Sequence, residues 1–403
     1  MDEENEDASS KRLRNIAHIP FEGRFYMISG KSIICFSSND WTDIPSSKFH
    51  IMKHVGRSNL VLYVETIGLR HPQFLSRDVR RALTKLRKTC RWVKNVENGI
   101  FTWSPPAIPY HGLAIVEWLN ALILSIMIRR IARRLAMKDP IIWSYMPNAI
   151  EIIERIPSSK VIYHCIDDYA EFTDVPKAAF EKMERKMLER ADITIVSAKK
   201  LYENKRPYAR NIIYIPHGVN LTEFQGYLKE TLNIKDIDGI KSPIAGFIGR
   251  IADWVDLPLI MRCARELPNW NFVLVGPSNV DLKPYLGIPN VHFLGKKDYK
   301  DIPHYIQRFD VCLMPFVCNA LVASVNPLKM YEYLALGKPV VTVPMDEVED
   351  FAHLLTIAGP SNFSKGIEKA YEEDTEVKRV MRIESVSGRS WGDVAEKILG
   401  LVG

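Results

Sequence analysis

Residues 325–344 read VNPLKMYEYLALGKPVVTVP, and two structural signals follow one another within them. Asn326 stands as a helix N-cap, Pro327 takes the first helical position, where its missing N–H costs nothing, and Gly337 ends the helix about three turns later. The β-branched run PVVTVP (339–344) then reads as a strand. A bounded helix leading into a continuous apolar strand is the unit of a parallel sheet covered by helices on both faces.

Outward from this unit the alternation continues. Upstream lie PIAGFIG (243–249), NFVLVG (271–276), VHFLG (291–295) and VCLMPF (311–316). An earlier cycle holds SIICFSS (32–38), NLVLYVE (59–65), IIWSYM (141–146), KVIYHCI (160–166), ITIVSA (193–198) and NIIYIP (211–216). Two cycles predict an α/β fold of two Rossmann-like, doubly wound parallel-sheet domains with a cleft between them. The expected division is a flexible tail at 1–15, an N-terminal domain at 16–218, a C-terminal domain at 219–385 and a terminal helix at 386–403. That helix carries an apolar face of Trp391, Val394, Ile398 and Leu401 and is expected to pack back toward the N-terminal domain.

The composition of the 403-residue chain, 47% hydrophobic and 25% charged, excludes a fibrous or disordered protein. Its six cysteines form no CxxC pair, so neither a zinc knuckle nor a disulfide framework is expected. No strand is followed by GxGxxG, which argues against a dinucleotide-dependent dehydrogenase. Residues 1–15 have no apolar core of a secretory signal, and a cytoplasmic protein is expected.

The net charge of +6 is uneven: residues 1–200 carry 31 Lys and Arg against 23 Asp and Glu, and 201–403 carry 23 against 25. Between Lys53 and Lys138, 16 basic residues face four acidic ones. Such a field attracts anions: nucleic acid, phospholipid headgroups or a diphosphate-bearing acceptor. The apolar stretch Leu113–Ile128 falls short of the ~20 residues a bilayer crossing needs. It runs on into Arg129, Arg130, Arg133 and Arg134, which fits either a core helix with a solvated end or a helix lying on the inner face of an anionic membrane.

In open parallel sheets ligands bind beyond the carboxyl ends of the strands. Lys329 and Glu332 share one face of the helix after Pro327. The positive helix end and the Lys329 ammonium suit a diphosphate, and the Glu332 carboxylate can accept from two ribose hydroxyls; a plain surface pair is the alternative. On the other side Asp167 and Asp168 follow the strand 160–166, where a carboxylate can orient an acceptor hydroxyl or act as general base, Asp168 being placed ahead of Asp167. A helix cap is the competing role. His164 and His217 are expected to touch the donor or to be satisfied core histidines, and Asp40-Trp41 with Pro45-Ser46-Ser47-Lys48 to shape the acceptor side.

The segment 325–344 resembles the donor-site signature of GT-B glycosyltransferases, specifically the bacterial and archaeal group 1, family 4-like enzymes. YHCIDDYAEF (163–172), RADITIVSA (190–198), IPHGVN (215–220), GFIGRIADWVDLPLI (246–260) and NVHFLGKKDYKDIPHYIQRFDVCLMPF (290–316) match in order, covering the chain from about residue 30 to its end. The resemblance implies transfer of a sugar from a UDP- or GDP-sugar to a hydroxyl of a glycan or lipid-linked acceptor, as in polysaccharide and cell-envelope synthesis, with no cofactor and no metal.

By position, Glu332 matches the second glutamate of the E-x7-E element that grips ribose, while Ser324 occupies the first glutamate's place. That departure leaves Lys329 to neutralise the leaving group, as in the glucuronosyltransferase branch of GT-B enzymes. Gly249-Arg250 matches the glycine-arginine after the first donor-domain strand; the lysine often found just beyond is replaced by Trp254, Val255 and Asp256. The implied donor set is Gly249, Arg250, Gly276, Asn326, Lys329, Glu332 and His217, with Asp168, Asp167 and Lys329 catalytic. A polyanion-binding protein using the basic region, and an epimerase or phosphorylase sharing the donor half, are the competing readings.

Overall fold

The computed structural model describes residues 29–43, 45–66, 93–106, 114–172, 175–226 and 234–402. The expected tail at 1–15 and the basic residues between 67 and 92 lie outside them.

The first cycle of apolar runs forms β1 (Ser32–Phe36), β2 (Leu60–Val64), β5 (Ile141–Ser144), β6 (Lys160–Cys165), β7 (Ile193–Val196) and β8 (Ile212–Tyr214), joined by β3 (Lys94–Glu97) and β4 (Ile100–Trp103). Together they make an eight-stranded sheet of order β3-β4-β2-β1-β5-β6-β7-β8, parallel except for the β3–β4 pair. The second cycle forms β9 (Ile244–Ile248), β10 (Asn271–Val275), β11 (Val291–Gly295), β12 (Val311–Met314), β13 (Val340–Thr342) and β14 (Thr356–Ile357). Its six-stranded order is β11-β10-β9-β12-β13-β14, parallel throughout. β3, β4 and β14 fall outside the runs expected from the sequence.

Both strand orders double back, at β1/β5 and at β9/β12, and these switch points are where a crevice opens beyond the strand ends. The central strands are buried on both faces, which is why they read as unbroken apolar runs. One core fills the C-terminal domain around Phe247, Phe272, Phe309 and Tyr333. Two cores cover the opposite faces of the N-terminal sheet, one around Tyr163, Leu124 and Ile150, the other around Trp143, Tyr63 and Ile162. Each fully buried aliphatic or aromatic side chain contributes about 1.5–3 kcal/mol.

The helix Trp391–Val402 buries Trp391, Val394, Ile398, Leu399 and Val402 in the second N-terminal core, so the chain's end returns to the first domain. Its way back runs beside the outward crossing. Val219 N donates to Arg389 O at 2.8 Å and Trp391 N to Val219 O at 3.3 Å. A Cβ on Gly218 would stand 3.0 Å from Arg389 O and 3.1 Å from Trp391 N, so a larger residue would push the two crossings apart by a few tenths of an ångström.

Candidate functional site

The helix announced by Pro327 runs from Leu328 to Ala335, two turns rather than three, and begins in the crevice. Leu328 packs against the core that holds Trp391, and a Cβ on Gly249, at the end of β9, would lie 3.6 Å from Lys329 Cε. Gly249 (φ +154°) and Gly276 (φ +149°) adopt backbone conformations that side chains rarely take, and a Cβ on Gly276 would collide with Gly249 O at 1.8 Å. The carboxyl ends of β9 and β10 therefore present bare backbone beside the Lys329 side chain. Nearby, the ring of Tyr299 lies 5.8 Å from that of His50, tilted by 47°, bringing the two domains together across the crevice.

Lys329 Nζ donates to Glu332 Oε2 at 2.7 Å, one helical turn on. The Glu332 side chain is 1% exposed, and its second oxygen, Oε1, is buried with no hydrogen-bond partner. A buried carboxylate oxygen left without a donor costs on the order of 1–3 kcal/mol, more for a charged group, so Oε1 retains an unused capacity to accept a hydrogen bond. Arg250, exposed at the end of β9, is steadied by Asn279, whose Oδ1 accepts from its Nη1 at 3.2 Å.

Asn326 corrects the local reading. It does not cap the helix; Pro327 holds the N-cap position and no side chain caps it. Instead the buried amide accepts from His217 N at 3.2 Å and donates to Tyr331 Oη at 3.1 Å and to Glu347. Glu347 also accepts from Tyr214 Oη at 2.9 Å and from Lys199 N, so Asn326 and Glu347 clamp the C-terminal domain onto the N-terminal one. Burial pushes the Glu347 carboxyl above its ordinary value against these donors. The amide expected at the donor is engaged by protein on both of its heavy atoms.

The two aspartates after β6 part ways. Asp168 is buried, its Oδ1 3.1 Å from Lys205 Nζ, which also meets Glu184 Oε2 at 2.7 Å. Burial opposes the charge on Lys205, but the carboxylates of Glu184 and Asp168 outweigh it and hold the ammonium protonated. Asp167 has no such partner within salt-bridge distance among the described residues. Burial raises its pKa, and the charge of Lys48 partly offsets that rise. The order expected from the sequence, Asp168 before Asp167, reverses when the criterion is a carboxylate available to a substrate. Nor does the Asp168 side chain cap the short turn that follows it.

Lys48, expected from the sequence only as part of the loop on the acceptor side, gains a specific place. It sits in the first turn of the helix Ser47–Val55, almost fully buried, with Nζ donating to Asn39 Oδ1 at 2.8 Å and to Ser38 Oγ beyond β1. Burial lowers its pKa to about 8, with Asp167 acting in the other direction. The one sequence signal was its place three residues after Pro45 in the loop that leaves β1. His164 stacks on Tyr145 at 4.9 Å inside β6 and His217 lies in the outward crossing. Burial, followed by repulsion from nearby positive charge, lowers them to about 3 and about 4, so both imidazoles are neutral near pH 7. Trp41 packs between Phe49 and Tyr63 and so supports the β1 loop from beneath. Among the described residues no cluster of three His, Cys, Asp or Glu side chains has a geometry suited to a metal ion.

Residues 242–373 match the family described as glycosyl transferases group 1. A putative teichuronic acid biosynthesis glycosyltransferase of Bacillus subtilis (strain 168) is 28% identical over 216 residues, 50% of this chain and 54% of that protein, so the chain spans about half the length of this curated relative. Sucrose-phosphate synthase from Thermosynechococcus elongatus superimposes with a TM-score of 0.67 at 14% identity, over 92% of this chain and 98% of that one. Anabaena HepE, solved in complex with UDP-glucose, gives 0.61 at 15% identity, over 92% and 99%. The fold is that of the GT-B glycosyltransferases, and the match to group 1 falls within the C-terminal domain.

Proposed function

We propose, from the group 1 character of the C-terminal domain, that this protein transfers a sugar from a nucleotide-diphosphate sugar to a hydroxyl of a glycan or lipid-linked acceptor. The observation that carries the reading is the unpartnered Oε1 of Glu332, buried one turn from Lys329 where the helix meets the bare backbone of Gly249 and Gly276. A nucleoside diphosphate supplies what is missing: ribose hydroxyls that donate to Glu332, and phosphate oxygens for Lys329, Arg250 and the helix end.

In the transfer the bond from the sugar's anomeric carbon to the diphosphate oxygen breaks and its electron pair leaves with the nucleoside diphosphate. Arg250 and Lys329 stabilise that developing charge without calling on a metal. The acceptor oxygen bonds to the anomeric carbon and its proton passes to the carboxylate of Asp167, whose raised pKa improves it as a base. Asp168 holds the strand end in place through Lys205. The similarity to a putative teichuronic acid biosynthesis glycosyltransferase supports a cell-envelope glycan as the acceptor class, and the arginines at the end of the helix Ala114–Arg134 suit an acceptor reached at the inner face of an anionic membrane.

The test is thermal unfolding and calorimetric titration with UDP, GDP and their sugar conjugates. One nucleotide series is expected to raise Tm and to bind with micromolar affinity, with product release from the conjugate in the presence of a glycan acceptor. No stabilisation by any nucleoside diphosphate overturns the reading.

A further inference from the structure

The helix Ala114–Arg134 carries chemistry the reaction does not use. Its inward face is an ordinary core stripe of Ala121, Leu124, Ile128, Ile131 and Ala132. At about 3.6 residues per turn the opposite face runs through Ile115, Leu119, Ile123, Ile126, Arg130 and Arg133, with Trp118 and Arg129 on its flank. Among the described residues nothing covers that face. Ile115 is 69% exposed, Trp118 51%, Leu119 40%, Ile123 43% and Ile126 38%. A continuous row of large apolar side chains in water marks an interaction site rather than a solvated surface.

The same face is graded along its length. Apolar side chains fill the first turns, and the last ones hold Arg129, Arg130 and Arg133, all exposed and without a carboxylate partner among the described residues. With Ile126 these three guanidinium groups line one open depression. A face that is apolar, edged by tryptophan and closed by unpaired arginines matches the boundary between acyl chains and anionic headgroups. It does not suit a second copy of itself, because a parallel pairing sets like arginine clusters together and an antiparallel one sets the arginines against apolar side chains that offer them no carboxylate. Nor is it a bilayer crossing, since no helix among the described residues is long and apolar enough to span one.

We propose that this face docks the protein on an anionic phospholipid bilayer, with the helix lying in the membrane plane. Ile115, Trp118, Leu119, Ile123 and Ile126 enter the headgroup boundary, and Arg129, Arg130 and Arg133 hold lipid phosphates. The orientation follows from topology. The helix links β4 to β5, both in the parallel set, so it runs against the strands and its apolar first turns lie on the side of their carboxyl ends, where the crevice opens. Docking by this face therefore holds the crevice beside the lipid surface, opening along it. That consequence, though not the docking itself, rests on the transferase reading.

The experiment is flotation of the full chain with vesicles of phosphatidylcholine alone and with vesicles containing phosphatidylglycerol, with nucleotide-induced stabilisation measured on the same preparations. Binding is expected only with phosphatidylglycerol, and it should weaken as salt is raised. Ile123→Glu with Ile126→Glu, and separately Arg129→Glu with Arg133→Glu, should each lose at least ~10-fold in vesicle affinity, because each removes one of the two attractions. All four positions are solvent-exposed, and an unchanged Tm and unchanged nucleotide response check that both variants are folded. Absence of vesicle binding, equal binding by the variants, or a stable dimer abolished by the same substitutions overturns the docking surface. Vesicle binding without any nucleotide response leaves the docking surface standing and removes the transferase reading instead.

Discussion

Lys329 and Glu332 meet at 2.7 Å across one helical turn, yet the pair satisfies only one of the two carboxylate oxygens. A simple surface ion pair would leave the other oxygen in water. Here Oε1 is buried, so the pair differs from a surface ion pair, and the proposed role of Glu332 in holding ribose rests on that difference.

Replacing Glu332 separates these roles. Hydrogen bonds to a charged group are worth about 1.5–3 kcal/mol, so Glu332→Ala should weaken nucleoside diphosphate binding by roughly 10- to 100-fold. Because the variant also removes an unsatisfied buried oxygen, the ligand-free protein should hold or gain stability. Calorimetric titration and Tm together check this; a loss of Tm with unchanged affinity would show a purely structural glutamate.

The meeting of β9 and β10 makes a second, sterically grounded prediction. Gly276→Ala places a methyl group 1.8 Å from Gly249 O, and no side-chain motion relieves a clash with backbone. The strand ends must separate, at about 1–3 kcal/mol for overpacking with a further term for the positive φ. Nucleotide binding should be lost at temperatures where circular dichroism still reports a folded protein. A variant that binds normally would mean the two loops are not the phosphate-facing surface.

The sequence disclosed what is repeated along the chain and hid what is brought together by folding. β1, β9 and β12 are legible because burial on both faces demands unbroken apolar runs. β3 is masked by its own polarity: KNVE is half exposed at the sheet edge, and the hairpin is marked only by Asn98-Gly99. β14 has two residues, too few to show a period. The Lys329–Glu332 pair could be read because helical spacing fixes it. Asn326 could not, since its partners His217 and Glu347 lie 109 and 21 residues away and outcompete the local cap. The ion pair of Asp168 is hidden for the same reason, its Lys205 partner being 37 residues downstream.

Asp167 and Asp168 should answer differently to the same chemical change. Asp168→Asn takes one of two carboxylates from buried Lys205, which keeps Glu184, so a stability loss of about 1–3 kcal/mol is expected. Asp167→Asn removes a carboxylate with no ion-pair partner among the described residues and should leave Tm nearly unchanged while lowering kcat by about 10²- to 10⁴-fold. Urea unfolding and single-turnover rates distinguish the two. Equal stability losses with equal residual rates would refute the division of labour.

Lys48 tunes that carboxylate from the β1 side. Its charge lowers the Asp167 pKa against burial, so Lys48→Met should raise it further and move the acid limb of kcat/KM to higher pH. In the wild type the alkaline limb should reflect Lys48 itself, lowered to about 8, and should disappear in the variant. A pH profile whose two limbs survive the substitution unmoved would remove Lys48 from the site.

Three buried histidines predict how stability follows acid. His164 is lowered to about 3 and His50 and His217 to about 4, burial being the leading cause in each. Unfolded histidine titrates near 6.5, so between there and about pH 4 the unfolded chain takes up protons that the fold refuses. Stability from these groups is therefore complete above about pH 6.5 and declines as the pH falls, by up to about 1.4 kcal/mol per pH unit for each histidine. The urea midpoint should drop between neutral pH and about pH 5. His164→Phe, which keeps a ring against Tyr145, should reduce the slope by close to one proton. An unchanged slope in that variant would place the acid-sensitive group elsewhere.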